Sequence, residues 1–280
     1  MYSAAITGSG VFTPEHSITN DELVVAFNAH ADLFNAENAD AISAGTIVEK
    51  PYSSSEFIFA ASGIERRYVL DKVGVLDPVR MYPKMPDRSD DDPSLMAEMA
   101  VDAALQAMAQ AGKSADDIDA VICAASNHER AYPAIAVEIQ NLLEIDGFAF
   151  DMNVACSSAT FGIQMATDMI KSGSISTALV VCPEICSAHL EWRDRDCHFI
   201  FGDAATALLI ERDEELQTPH FKIKSTKLAT QFSNNIRNNN GFLRRTRDQM
   251  DDRHDMQFMQ NGRRSQPVDA THSANFSAGV

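Results

Sequence analysis

At 280 residues the chain can hold one large domain or two ordinary ones, and its 45% apolar content is typical of a globular core. A formal net charge of −17 argues against nonspecific binding to nucleic acid or to an anionic membrane, which are themselves negative. No run approaches the roughly 18 apolar residues of a membrane span, and "MYSAAITGSGVFTPEHS" lacks the basic and long apolar regions of a secretory signal, so a cytoplasmic location is expected.

In chain order, "SAAITGSGVF" predicts a first strand, and "TNDELVVAFN" a helix capped by Thr19, Asn20 or Asp21. From about residue 28 to 62 the apolar pattern loosens, which predicts an insertion or loop. "SGIERRYV" starts at Gly63 and ends as a short strand. Residues 71 to 93, with several prolines and the run Asp90-Asp91-Asp92, read as a long solvated loop rather than a calcium site. "SLMAEMAVDAALQAMAQAG" is the clearest helix. Met96, Ala100, Ala103, Ala107 and Ala111 recur at helical spacing on a face narrow enough for close packing, and Gly112 is placed to end it.

"DAVICAAS" then predicts a strand, "PAIAVEIQNLLEI" a helix with Pro133 at its start, and "GFAFDM" a strand. "SSATFGIQMATDMIKSG" predicts a helix, and "STALVVCPE" and "DAATALLIER" two further strands. This alternation predicts an α/β domain with a largely parallel sheet covered on both faces, over about residues 1–212, including an insertion at about 28–93. "HFKIKSTKLAT" looks like one more strand. Residues 213–280 otherwise read as the start of a second unit followed by an irregular, disordered tail.

Five cysteines (Cys123, Cys156, Cys182, Cys186 and Cys197) form an odd set, so reduced thiols are expected rather than a disulfide framework. Cys123 and Cys182 fall inside apolar strands and read as core. Cys156 falls between a strand and a helix, where unpaired N–H groups and the helix dipole favour negative charge. Its small neighbours Ala155, Ser157, Ser158 and Ala159 leave room at the sulfur. On local pattern alone it is either a nucleophile or a small buried residue at an ordinary turn. Cys182, Cys186, His189, Cys197 and His198 are close in sequence, but their spacing matches no familiar zinc pattern, so no metal is expected. "GSGVFTP" is an incomplete dinucleotide signature and no cofactor is expected. His128, after the Cys123 strand, is placed where it could line a cleft.

"DMNVACSSATFGIQMA" resembles the nucleophile segment of the thiolase-fold condensing enzymes, and most closely that of the β-ketoacyl-[acyl-carrier-protein] synthase III family. "ITGSGVFTPEHSITNDEL" is similar to the family's N-terminal strand and helix, and "ASGIERRYV" to its "TGI…R" segment through Gly63, Ile64 and Arg67. "FIFGDAATALLIE" resembles its "FGDGAGA" turn, with Ala204 in place of a glycine. The resemblance covers about residues 3–212 and implies a thiolase-like layered fold whose N-terminal half is complete and whose C-terminal half is largely missing.

The resemblance further implies a cysteine acyl-enzyme. Cys156 would take an acyl group from acyl-CoA, and malonyl carried on an acyl carrier protein would condense with it, in fatty acid biosynthesis. An oxyanion hole of backbone N–H groups is implied, as is a contact of Arg195 with CoA phosphate. A homodimer is implied, and docking of an acidic carrier protein would need a local basic patch, for which Arg66, Arg67, Arg193 and Arg195 are candidates. The family's second-half histidine and asparagine find an echo only in "THSANFSAGV", at His272 and Asn275, which reads as coincidence because no apolar strand precedes it. The change of character near Arg263 is what a frameshift or premature end would produce; if the tail is instead authentic, condensation is expected to be weak or absent because the decarboxylation groups are missing. The rival readings are a hydroxymethylglutaryl-CoA-synthase-like or polyketide-type condensing enzyme, and a noncatalytic fragment.

Overall fold

Successive buried side chains of the central strands alternate between two cores, one on each face of the sheet. In the computed structural model, which describes residues 2–214, 216, 219–241, 243, 246 and 256–260, one six-stranded sheet carries the fold. It comprises β1 (Ala4–Phe12), β4 (Ala120–Ala124), β5 (Phe148–Met152), β6 (Thr177–Ile185), β7 (Asp203–Arg212) and β8 (Phe221–Lys222), in the order β5-β4-β6-β7-β1-β8. A small antiparallel pair, β2 (His16–Thr19) with β3 (Arg66–Val69), stands beside it.

The sheet is mixed, which corrects the expectation of a largely parallel one. β4 runs parallel to β5 and β6, because the helices α6 (Ile135–Leu142) and α7 (Ser158–Ser172) return the chain to the same end. β6, β7, β1 and β8 pair antiparallel, because only a loop with a short 3-10 turn joins β6 to β7. Both faces are covered, as expected. α5 (Leu95–Ala111) and α6 pack on Val121, Cys123, Leu179 and Leu209, whereas α7 packs on Ala120, Ile122, Val180 and Ile210.

The alanine face of α5 lies almost against the backbone of β1. A Cβ at Gly10 would meet the Ala103 carbonyl oxygen at 1.9 Å, and one at Gly8 the Ala107 oxygen at 2.0 Å. Neither acceptor can yield without moving the helix, so Gly10→Ala is expected to destabilise the fold by about 1–3 kcal/mol. The measurement is a lower urea midpoint at unchanged slope, and an unchanged midpoint would refute this close packing.

Residues 28–62 are mostly helical, against the expected loop. α1 (Asn20–Glu37) runs on past Asn28, followed by α2 (Ala39–Ser43) and α3 (Ser55–Ser62). A reciprocal capping box between Thr19 and Glu22 starts α1, and Leu23, Phe27 and Ala31 give it a buried stripe. Its asparagines, which read as loop formers, hold the returning chain instead. Asn28 exchanges two hydrogen bonds with Ser53, and Asn35 two with Lys50. Within 71–93 only α4 (Lys72–Leu76) is helical, and Asp90 to Asp92 are exposed as expected. Pro133 lies before α6 rather than at its first turn. Asp151 of β5 caps that helix across space, accepting from Ile135 N and Ala136 N.

A second core joins this N-terminal region to the loop after β6. Ile18, Leu23, Phe27, Ile58 and Val69 pack there with Trp192 and Phe199, and Trp192 is fully buried with its Nε1 donating to Ser187 O. Part of the tail joins it too: β9 (Ile236–Asn238) pairs with β10 (Phe258–Gln260), and Phe258 is buried in this core. The strand expected at "HFKIKSTKLAT" shrinks to the two residues of β8. His272 and Asn275 lie outside the described residues. Among the described residues, no helix is long and apolar enough to cross a membrane.

Candidate active site

Cys156 sits on the turn between β5 and α7, at the sheet end where the parallel strands finish. Ser157 is the helix cap residue and makes no side-chain cap, so the first N–H groups of α7 face the turn without a capping oxygen of its own. The helix end favours negative charge on an oxyanion developing beside the sulfur. Cys156 is exposed, so it is not a small residue buried at the turn.

The turn is strained and clamped. Ala155 has φ +49°, in the left-handed region, which costs a residue with a Cβ about 1 kcal/mol or more. From the strand side, Ala155 N donates to Asn153 Oδ1 at 2.9 Å. From the helix side, the buried Ser158 hydroxyl accepts from Val154 N at 2.8 Å and lies 2.7 Å from Ala155 O.

Cys156 opens on a cleft of about 480 Å³. The small residues Ala124, Ala159 and Ala204 are part of its lining, so the alanine in place of the family glycine lies in the wall itself. Arg66 and Tyr68 of β3 line it as well, and Glu184 and Asp203 supply carboxylates at the ends of β6 and β7. Burial pushes both carboxyls above the ordinary range even though hydrogen bonds pull the other way. Glu184 accepts from Ser126 N and Oγ, and Asp203 from Leu70 N, Ser187 N and Ser187 Oγ. Sequence reading missed Glu184. Its one signal was a carboxylate directly after Pro183 at the end of an apolar run.

Of the other cysteines, Cys123 is core as expected, and Cys182 both packs against the α7-side core and lines the cleft. Burial pushes the Cys182 thiol up to about 11. All five cysteines are free thiols. Cys123, His128 and Asp151 bring ligand atoms within 4.8 Å of one another, but both Asp151 oxygens already hold α6, and burial raises the Cys123 thiol far above its usual range. His128 lies 3.8 Å from Asp151 and does not line the cleft.

Arg195 is half-buried outside the cleft. Its guanidinium lies 3.7 Å over the Phe57 ring, and Nε donates to Tyr52 O. The expected basic patch is smaller than four arginines. Arg67 is buried, donates to Ile18 O and Asn20 Oδ1, and is lowered by burial to about 10; Arg193 pairs with Glu191. Arg66 is exposed.

His189 and His198 sit behind the cleft wall. Burial lowers both to about 4, so both are neutral near pH 7. Between about pH 4 and 6.5 the unfolded chain binds these protons and the native chain does not. Each histidine therefore contributes stability that is lost as pH falls through that window. Two imidazole resonances that stay neutral down to about pH 5 in an NMR titration are the expected result; titration of both near 6.5 would contradict their burial.

A family model described as 3-oxoacyl-[acyl-carrier-protein (ACP)] synthase III matches residues 150–231. The chain is 54% identical over 240 residues to a β-ketodecanoyl-[acyl-carrier-protein] synthase of Pseudomonas aeruginosa, covering 85% of this chain and 69% of that protein. It is 32% identical over 232 residues to a β-ketoacyl-[acyl-carrier-protein] synthase III of Granulibacter bethesdensis, covering 82% of this chain and 58% of that one. The crystal structure of 3-oxoacyl-[acyl-carrier-protein] synthase III from Aquifex aeolicus superposes with a TM-score of 0.58 at 25% identity, over 76% of this chain and 55% of that one. The chain thus spans between about half and two thirds of the length of these relatives.

Proposed function

The chain belongs to the β-ketoacyl-[acyl-carrier-protein] synthase III family, and from that premise we propose that it is an acyltransferase of fatty acid biosynthesis, with Cys156 as its acyl-accepting nucleophile. The observation that carries this reading is the exposed thiol on a clamped turn at the N-terminal end of α7, open to a cleft. In the first half-reaction the sulfur attacks the thioester carbonyl of an acyl-CoA. A C–S bond forms, the CoA sulfur leaves, and the acyl group stays on Cys156. In the second, malonyl on an acyl carrier protein loses CO2 and its carbanion takes the acyl group, freeing the thiol.

The primer is proposed to be of medium length. β-Ketodecanoyl, in the name of the Pseudomonas relative, has ten carbons, of which malonyl supplies two and the primer eight. Arg195 is proposed to contact CoA phosphate. In support, its planar group is held at the surface by Phe57 and Tyr52 O, leaving the outer nitrogens for a fork-shaped contact. Arg66 and Arg195 are the proposed basic contributors to carrier docking. Homodimerisation along the sheet edge is proposed as well, and β5 supports it as the outermost strand with Phe148 exposed.

The test is intact mass after incubation with acetyl-, octanoyl- or palmitoyl-CoA. An octanoyl adduct mapped to the Cys156 peptide is expected. No adduct from any of the three, while iodoacetamide still alkylates Cys156, would reject the reading.

A further inference from the structure

Ala155 is held in a conformation it does not favour, so something outside the turn must hold it, and one set of hydrogen bonds leads from the turn to a charged group. Ala155 N donates to Asn153 Oδ1 at 2.9 Å, and Asn153 Nδ2 donates to Ser126 O at 2.7 Å. Ser126 is gripped at both its N–H and its hydroxyl, each 2.6 Å from one oxygen of the Glu184 carboxylate. Thus the end of β6 controls the loop after β4, that loop fixes Asn153, and Asn153 fixes the residue before the thiol. The helix-side clamp, Ser158, reaches only backbone groups.

We propose that Glu184 is a positioning residue for Cys156, acting through Ser126 and Asn153 to hold the thiol at the angle needed to attack a bound thioester. The proposal rests on the reading of Cys156 as the acyl acceptor. Thioester attack depends strongly on angle and distance, whereas alkylation of an exposed thiol by a small reagent does not. Loss of the hold should therefore separate the two reactions.

The experiment compares wild type, Glu184→Ala, Glu184→Gln, Asn153→Ala and the double variant Glu184→Ala/Asn153→Ala in the full chain. It measures single-turnover acylation by octanoyl-CoA, alkylation by iodoacetamide, and thermal unfolding. Glu184→Ala is expected to slow acylation at saturating octanoyl-CoA by roughly 10- to 100-fold, with alkylation within about threefold of wild type. Glu184→Gln should retain acylation within about threefold, because its amide oxygen accepts from Ser126 N and its NH2 donates to Ser126 Oγ. The double variant should be no slower than the worse single one, since both break the same link.

Wild-type acylation in a folded Glu184→Ala protein overturns the proposal. So do multiplied effects in the double variant, a Gln variant as slow as the Ala variant, or alkylation that falls in step with acylation. Should Glu184→Ala fail to fold, Asn153→Ala decides alone. Asn153 is exposed, and unimpaired acylation in that variant overturns the proposal. A wild-type chain that takes no acyl group at all would instead reject the assignment of Cys156, and this proposal with it.

Discussion

Cys156→Ser is expected to abolish acyl transfer from octanoyl-CoA while leaving the fold intact. A thiol reacts through the fraction present as thiolate, but a serine hydroxyl at neutral pH needs a general base. Among the described residues, no imidazole lines the cleft, and Glu184 and Asp203 are already engaged as acceptors from Ser126, Leu70 and Ser187. The loss should exceed about 10³-fold, the upper part of what a positioned base contributes. Cys156 is exposed and makes no core contact, so unfolding free energy should change by less than about 0.5 kcal/mol. The alternative acceptor is Cys182, which shares the cleft, but burial holds it as a neutral thiol near pH 7. Peptide mapping separates them: an adduct that persists in Cys156→Ser and maps to Cys182 would sink the assignment.

Asp203→Ala is expected to be among the most damaging substitutions to the fold. The Asp203 carboxylate is buried and accepts three hydrogen bonds, from Leu70 N at 2.9 Å, Ser187 N at 2.8 Å and Ser187 Oγ at 2.7 Å. It joins the chain leaving β3, the turn that opens the Trp192 loop, and the start of β7. Truncation leaves two backbone donors and a hydroxyl facing a cavity, each costing about 1–3 kcal/mol unless water reaches it, so a total of about 3 kcal/mol or more is expected. The comparison is urea unfolding against the exposed Asp91→Ala, which should change stability by less than about 0.5 kcal/mol. A loss under about 1 kcal/mol for Asp203→Ala would show that the donors find other partners. Acylation should fall as well, because Arg66 and Tyr68 of β3 line the same cleft as Cys156.

The resemblance along "DMNVACSSATFG", "SGIERRYV" and "FGDAATAL" named three segments far apart in the chain, and the structure brings all three to one cleft: Cys156, Arg67 and Asp203 all line it. What those motifs did not reveal is the company each residue keeps. Arg67 looked like a surface cation and is spent inside on Ile18 and Asn20. Cys182 packs against the core as read and also lines the cleft, and Asn28 and Asn35 fall in a stretch read as insertion or loop and are the ties of a long helix.

By itself the sequence determined where most elements lie and which residue stands on the turn before α7, because those signals are local. Ser94 caps α5 and Gly112 ends it in the left-handed conformation, and the central strands β4 and β6 are written as short apolar runs. Only the tertiary structure decided that β7 and β1 run antiparallel to β6, that Asp151 caps a helix 15 residues before it, and that Glu184 reaches the Cys156 turn through Ser126 and Asn153. Those outcomes depend on which groups meet across space when the sheet closes. A buried acceptor takes the nearest unpaired donor, however distant in sequence, so no local pattern specifies the pair.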